Sequence, residues 1–578
     1  MAGERAPSNF LTDPLTRRVF MRRAIQLGAT VGGAGLLAAC DSGSSTDAGP
    51  TTSGGTATGT VETAGQPKRG GTIRFAGAPG ARGYDPHRWW DGWAWGGITA
   101  VNDPILVATQ EGALEAGIAE LPEISNEGTL YTFTLRPNVM FHHGGVMTAD
   151  DAKFSLDRLL RPSTGNEGSS LYNVLPIVGL QPVLNEEADE VSGIKVVDDL
   201  TFTIELEQPD SALPYVLTLP FAAVVPRDVV EEMGDEAFNL APVGNGPFTM
   251  SDVNLETGLT LERFTDYWNP EVPYVDRVEW TSGTAVDLAV LQVQSGELDM
   301  VQETPPAGMV SQLQDDPGEN GQLFVGPVNL EYFMNMNTTY EPLQNVDVRR
   351  ALAMAIDRER LVRALQGLPI VSKGGLFTEL TPYYQEGLAI PYDPEGAKQL
   401  LADAGYADGF DLNILGQNTS PFTEMAQTAQ ADLEAVGINA SAEIATPELW
   451  VEKSYTGQNP EPMVAHLWDL PYPHGSYLMD GGFTSGGIEA GCCNLSVYGD
   501  SEFDELARQA HLAVEESEII DLYKQMDKKI VQDDVVAIPL FQGVRIELLS
   551  KRLQGFFAPA TLSTTHLFRE YWIDEDAA

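Results

Sequence analysis

The feature that most restricts the fold is an alternation of helical and strand-like segments in the second half of the chain. Apolar residues recur at helical spacing in residues 348–365 and again in residues 394–404. Gly405 is a residue type that ends helices, and residues 410–415 then have the pattern of a strand. Because helices that alternate with strands cover the faces of a sheet, the pattern predicts an α/β fold.

The first half of the folded region mixes the same two kinds of element. Residues 131–135 are β-branched and aromatic, as strands are. Thr148 precedes Asp150, Asp151 and an amphipathic run that ends at Leu160, which predicts a helix with a side-chain cap at its amino terminus.

The composition and net charge of the chain restrict the kinds of molecule that it can bind. The 578 residues are 43% apolar, enough for two to four domains with hydrophobic cores. The net charge is −49, and such a surface repels nucleic-acid phosphates and anionic lipid headgroups. Nucleic acid is therefore excluded as a partner, and the acidity itself is explained by solubility rather than by a ligand.

The amino terminus has the features of an export signal. Residues 16–22 contain the adjacent pair Arg17 and Arg18 and resemble a twin-arginine signal, and residues 24–39 are too short and too rich in Gly and Ala for a membrane span. Residues 37–40 resemble a lipoprotein cleavage box. We predict that residues 1–39 are a twin-arginine lipoprotein signal peptide and that Cys40 is the lipid anchor, stable because two acyl chains hold it.

Residues 40–68 are predicted to be a flexible tether. They are dominated by Ser, Thr, Gly, Ala and Pro without apolar periodicity, so they cannot bury enough surface to offset chain entropy. The tether would let a folded body on the outer face of the cell membrane, or in the periplasm, reach a membrane partner.

Many short motifs follow one another along the mature chain in a fixed order. They lie at residues 70–74, 84–86, 103–107, 131–136, 139–158, 244–248, 266–268, 294–299, 348–358, 392–406 and 538–540. Together they resemble the family 5 solute-binding proteins of ABC importers, a family that binds peptides, nickel complexes or oligosaccharides.

The resemblance implies a fold and a role. It implies a two-lobed periplasmic-binding-protein type II fold, shaped like a Venus flytrap, with an additional inserted small domain. The implied boundaries are residues 69–110, 205–325 and 541–578 for lobe 1, residues 111–204 for the inserted domain, and residues 326–540 for lobe 2. The implied role is capture of a small ligand, most readily an oligopeptide, by a monomer that delivers it to ABC permease subunits, without enzymatic activity or cofactor.

The resemblance also points to ligand-binding residues. Residues 468–473 are similar to the family's Asp-Tyr-x-x-Pro loop, which implies that Asp469 pairs with the terminal ammonium of a peptide. Leu470 and Pro471 depart from the family pattern, and the alternative is that Asp469 caps a turn. Trp468 and Tyr472 flank Asp469 as candidate wall residues.

Aromatic residues after the opening strand are further candidates. Four tryptophans lie within residues 89–95, and of these Trp93 and Trp95 are predicted to line the ligand site, where their faces could stack on sugar rings or cover peptide side chains. The alternative is that they pack in the core or at its rim.

Other chemistries have little support in the sequence. His142 and His143 are interpreted as structural, no metal-binding motif is present, and no nucleophile elbow or nucleotide-binding loop occurs. The adjacent Cys492 and Cys493 could form a strained disulfide or remain two thiols. Binding of a sugar or a nickel chelate, or a secreted hydrolase with paired carboxylates, stays open as an alternative function.

Overall fold

One mixed sheet of 11 strands runs through the molecule. The structure is a computed structural model that describes residues 66–577, except 79, 90–91, 93, 110–111, 166–174, 456–460, 491–492, 560 and 562–564. The predicted signal peptide, the anchor Cys40, nearly all of the tether and Trp93 lie outside the described residues.

The elements have the following bounds. The strands are β1 (Thr72–Gly77), β2 (Leu106–Ala108), β3 (Leu114–Ala116), β4 (Glu123–Ser125), β5 (Leu130–Thr134), β6 (Ile194–Asp198), β7 (Thr201–Glu205), β8 (Phe248–Asn254), β9 (Gly258–Arg263), β10 (Arg277–Ser282), β11 (Met300–Val301), β12 (Gly321–Met336), β13 (Ile370–Val371), β14 (Asp411–Gln417), β15 (Asn439–Ala445), β16 (Met463–Asp469), β17 (Ala537–Ser550), β18 (Leu553–Gln554) and β19 (Trp572–Ile573). The α-helices are Trp95–Val101, Ala149–Leu160, Leu180–Leu184, Leu213–Val216, Arg227–Met233, Asp235–Leu240, Val286–Gln294, Ala307–Asp315, Val346–Ala355, Arg358–Ala364, Pro394–Asp403, Phe422–Ala435, Pro447–Ser454, Ser476–Phe483, Ser485–Ala490, Ser501–Leu512 and Glu516–Lys528.

Two long strands, β12 and β17, connect the two ends of the large sheet. The strand order is β15-β14-β16-β12-β17-β11-β1-β10-β9-β8, and β13 also pairs with β17. The antiparallel pairing of β12 with β17 is interrupted between Pro327 and Glu331. We call the strands β1 and β8 to β11, with the adjoining parts of β12 and β17, the first half, and β13 to β16 with the remaining parts the second half.

The interruption is packed and hydrogen-bonded. The buried side chain of Gln542 donates to the carbonyl of Val328 at 3.0 Å, which satisfies an acceptor that the strand ladder leaves free. A Cβ atom on Gly543 would lie 3.0 Å from Leu330 Cδ2, so a glycine permits the close approach of the two strands here. The connection between the halves is therefore narrow and closely packed.

The second half confirms the α/β rhythm of the sequence. The predicted helix at residues 394–404 is Pro394–Asp403, and the predicted strand is β14. The helical pattern of residues 348–365 forms two helices, because the Asp357 side chain accepts a hydrogen bond from the Arg360 N–H at 2.8 Å and starts a second helix. Their apolar faces, including Leu352 and Leu401, form one core with the sheet.

A small antiparallel sheet, in the order β4-β5-β7-β6, packs against the first half. Phe133 and Phe202 stack across it with ring centroids 5.0 Å apart and belong to the same core cluster as Phe75 of β1. The helix Ala149–Leu160 covers the sheet and begins with the predicted cap, a reciprocal pair between Thr148 and Asp151.

A buried ionic network ties this helix to the first half. The Arg158 guanidinium lies 2.6 Å from one Asp85 oxygen and 2.9 Å from the other, and 2.7 Å from Asp235. The side chains of Arg158 and Asp85 are only 4% and 0% exposed. Burial would raise the pKa of Asp85, but the hydrogen bonds and charge of Arg158 outweigh it and hold that pKa below its ordinary value.

Removing this cation should destabilise the protein strongly. We expect Arg158→Gln to lower the free energy of unfolding at pH 7 by about 3–5 kcal/mol, because it leaves a buried carboxylate unpaired. The measurement is urea unfolding followed by circular dichroism. Arg227→Gln, which breaks an exposed pair with Glu231, should cost less than about 1 kcal/mol, and equal effects of the two substitutions would contradict the prediction.

Candidate functional site

The ends of several strands converge where the two halves meet. In the first half β1 runs parallel to β10 and β11 and ends at Gly77. In the second half β14 runs parallel to β16, which ends at Asp469 opposite Leu330 of β12, beside the interruption. The carboxyl ends of parallel strands share one edge of a sheet, and in open α/β sheets this edge holds ligands. The two edges face the crossing from opposite sides.

Asp469 is the best-placed candidate residue. Its side chain is partly exposed, and burial raises the pKa of the carboxyl from 3.8 to about 6, partly offset by its own backbone N–H. Among the residues that the structure describes, none gives it an ion pair or a side-chain hydrogen bond. A carboxylate in this environment is suited to receive a cationic group.

Trp468 lies beside Asp469 in β16, with its side chain on the other face of the strand. It is partly buried, and its ring contacts His466 and Tyr477 with centroids 5.5 and 5.8 Å apart. The indole N–H is buried and has no hydrogen-bond acceptor within the described part of the chain. Its contact with a ligand stays a prediction.

Two of the other predicted aromatic residues are in the core. Trp95 begins the helix Trp95–Val101 and is 4% exposed. Tyr472 is also 4% exposed and packs into the core cluster of the first half, although it belongs to the second. The described surroundings give both residues a packing role. For Trp93 the structure describes nothing, so its role stays a prediction.

The structure adds two residues that the sequence analysis missed. Trp280 of β10 packs edge-on against Phe75, with centroids 4.6 Å apart, and its buried indole N–H has no acceptor among the described residues. A Cβ atom on Gly77 would lie 1.9 Å from that nitrogen, so the indole covers the end of β1. Glu303 follows β11 at the same edge, and burial raises the pKa of its carboxyl. Neither residue stands in a motif that could have indicated it.

Other candidate chemistry can be placed as follows. His142 Nε2 donates to the Gly246 carbonyl at 3.0 Å, as expected of a structural residue. Over the described residues, no cluster of His, Cys, Asp and Glu could hold a metal ion. Cys493 is buried, whereas Cys492 lies outside the described residues. Every helix in the described ranges is too short or too polar to cross a lipid bilayer.

Comparison with known sequences gives a family match. The family described as "Bacterial extracellular solute-binding proteins, family 5 Middle" matches residues 113–490. The glutathione-binding protein GsiB of Salmonella typhi is 26% identical over 456 residues, which are 76% of this chain and 83% of the relative. GsiB of Escherichia coli O157:H7 is 26% identical over 464 residues, or 78% of this chain and 84% of the relative.

Solved structures confirm the fold. HbpA2 from Haemophilus parasuis superposes with a TM-score of 0.77 at 22% identity, covering 87% of this chain and 100% of the other. The ABC transporter-associated periplasmic binding protein DppA from Helicobacter pylori, in complex with the peptide STSA, has a TM-score of 0.68 at 22% identity, covering 88% and 99%. The predicted two-lobed α/β fold of periplasmic binding protein type II, with an inserted small domain, is therefore correct, and we call the two halves its first and second lobes.

The raised pKa of Asp469 predicts a cost in stability. Because the folded protein holds this proton up to about pH 6 and the unfolded chain releases it near 3.8, the free energy of unfolding falls as the pH rises between these values. We expect Asp469→Asn to raise that free energy by up to about 3 kcal/mol at pH 7.5 and to change it little at pH 3.5.

The measurement is urea unfolding at both pH values. Asp403→Asn removes the same charge from an exposed helix position and serves as the control. A gain for Asp469→Asn of the same size at both pH values would contradict the explanation.

Proposed function

Since the chain belongs to the bacterial extracellular solute-binding proteins of family 5, we propose that it captures a peptide between its two lobes and delivers it to the permease of an ABC importer. The match covers most of the chain, and the family consists of binding proteins. The hydrolase alternative is therefore set aside, and the chain is a binding protein rather than an enzyme.

The single observation that supports a peptide is the state of Asp469. Its carboxylate lies at the crossing of the lobes, is desolvated enough to raise its pKa to about 6, and lacks a described cationic partner. A peptide's terminal ammonium would supply that partner, and charge-assisted hydrogen bonds of this kind are strong. Relatives with names that specify a ligand include a glutathione-binding protein and a protein solved with the peptide STSA.

Closure of the lobes is part of the proposal. The interrupted pairing between Pro327 and Glu331 supports a lobe boundary close to residue 326, and the close approach at Gly543 supports the return near residue 541. Among the described strands, only β12 and β17 pass from one lobe to the other, so a rotation of one lobe about this point can leave the sheet of each lobe intact. A ligand shifts the equilibrium between open and closed lobes only through contacts that differ between the two states.

Peptide binding can be tested with ligands that differ at one group. Isothermal titration calorimetry should give micromolar or tighter dissociation constants for some members of a series of dipeptides to pentapeptides that includes glutathione. N-acetylation of a bound peptide should weaken binding at least about tenfold, since it removes the ammonium that pairs with Asp469. Oligosaccharides and nickel chelates serve as competing ligands.

Variants test whether the loss of affinity on acetylation is due to Asp469. Asp469→Asn should weaken binding of the free peptide about as much as acetylation does and should add little to the effect of acetylation, whereas Asp403→Asn should leave binding unchanged. Equal affinity for free and acetylated peptides would show that the carboxylate has another role. Selective binding of a sugar or a chelate would replace the peptide assignment.

We further propose that the protein is exported by the twin-arginine pathway and anchored through Cys40, with residues 40–68 as tether. The adjacent Arg17 and Arg18 and the small residues before Cys40 support this. The anchor would keep a monomer on the outer face of the membrane or in the periplasm, within reach of the permease subunits.

The anchor proposal predicts where variants are found. In cell fractions examined by immunoblot, Cys40→Ser should move the protein from the membrane to the soluble fraction, because no acyl chain can attach to serine. Replacing Arg17 and Arg18 by Lys should block export and leave a precursor that keeps its signal peptide. Full membrane retention of the Cys40→Ser protein would contradict lipid anchoring.

A further inference from the structure

The two lobes also touch at a place away from the crossing strands. The segment that follows β7, at residues 209–212, lies against the second lobe. The N–H of Ser211 donates to the His511 carbonyl at 2.8 Å, and the Ser211 hydroxyl donates to the Ala510 carbonyl at 2.7 Å. The same hydroxyl is 3.2 Å from His474 Nε2. This contact is polar and closely fitted.

An ionic triad lies at its centre. His511, near the end of the helix Ser501–Leu512, places Nδ1 3.0 Å from an oxygen of Asp210 in the first lobe. Its Nε2 lies 2.5 Å from an oxygen of Asp480, on the helix Ser476–Phe483 of the second lobe. Across the described residues, no other ion pair joins the two lobes.

The surroundings keep His511 charged. Burial would lower the pKa of the imidazole, but the charges and hydrogen bonds of Asp210 and Asp480 outweigh burial and raise it well above its ordinary value. The neighbouring His474 is held neutral, since burial and the charge of His511 lower its pKa. The phenols of Tyr472 and Tyr523 are also neutral, because burial raises their pKa values. His511 is thus the cation of the cluster at neutral pH.

Asp210 also makes hydrogen bonds within the first lobe. A carboxylate oxygen of Asp210 also accepts the N–H of Ala212 at 2.9 Å, where the helix Leu213–Val216 is about to begin. The carbonyl of Asp210 accepts the hydroxyl of Tyr131, which belongs to β5 of the small sheet, at 3.2 Å. Movement of His511 away from Asp210 would therefore disturb the contacts of Asp210 with the helix Leu213–Val216 and with the inserted domain.

We propose that Asp210, His511 and Asp480 form an electrostatic latch between the lobes, which limits how far they separate and keeps residues 209–212 docked. His511 is a positioning residue in this device, since it acts through the two carboxylates. Because these ion pairs join the two lobes, the latch favours arrangements in which the lobes are not fully separated. A ligand that closes the lobes then has to restrict a smaller range of lobe motion, which lowers the entropic cost of binding.

Hydrogen exchange on the ligand-free protein tests the latch. In His511→Gln and in Asp210→Asn, the backbone amides of residues 210–213 should exchange at least about tenfold faster at pH 7, because local opening no longer breaks an ion pair. The amides of β12 and β17 should be unchanged. The double variant should exchange no faster than the faster single one, since both substitutions remove the same contact.

A matched control separates the latch from general loosening of its helix. Glu505→Gln breaks an exposed pair with Arg508 on the same helix and should leave the exchange of residues 210–213 unchanged. Small-angle scattering should show a larger radius of gyration for His511→Gln and not for Glu505→Gln. Unchanged exchange and radius in His511→Gln would overturn the latch.

A second variant keeps the test decisive. If His511→Gln folds poorly, Ser211→Ala removes the neighbouring hydroxyl contacts without touching the ion pair and should raise exchange by a smaller factor than Asp210→Asn. An equal or larger factor would show that the ion pair is not the main contact between these segments and would overturn the latch. None of these measurements uses a ligand, so they remain valid if peptide binding fails.

Discussion

The architecture depends on the narrow crossing formed by β12 and β17. Of the strands that the structure describes, only these two belong to both lobes, and their pairing is interrupted between Pro327 and Glu331. Gln542 donates to the Val328 carbonyl that the interruption frees, so this backbone acceptor is not left unpaired. Apart from Tyr472, which packs into the core of the other lobe, the buried apolar residues form separate cores in the two lobes, so a small change at the crossing could reorient a whole lobe with little unpacking.

The candidate site follows directly from this crossing. β16 ends at Asp469 beside the interruption, and this end position leaves the carboxylate desolvated but without a described partner. An unpaired, desolvated carboxylate lowers the free energy of unfolding of the protein without ligand. Binding of a cation restores that free energy. Binding energy and folding energy are thus coupled through one residue, and under the proposed function the same carboxylate would pair with a peptide's terminal ammonium.

Few of the many charged side chains form buried ion pairs that hold elements of the structure together. The chain carries a net charge of −49, and most of its carboxylates lie on the surface, where they are screened and contribute little. Asp85 with Arg158, and His511 between Asp210 and Asp480, differ because they are wholly or largely withdrawn from water. Burial makes each such pair costly to break, so these clusters hold the helix Ala149–Leu160 and the lobe contact in place.

The amino-acid sequence alone determined the fold class, the helix at Pro394–Asp403, the strand β14, the capped helix Ala149–Leu160 and the family. These depend on local periodicity, on caps and on motif order, all of which are written in neighbouring residues. It also singled out Asp469 as a candidate. It could not show that Trp95 and Tyr472 are buried, that Trp280 covers the end of β1, or that Asp210 meets His511. Only the tertiary structure decided these, because burial, pKa and contact depend on residues that are distant in the chain and are brought together by packing.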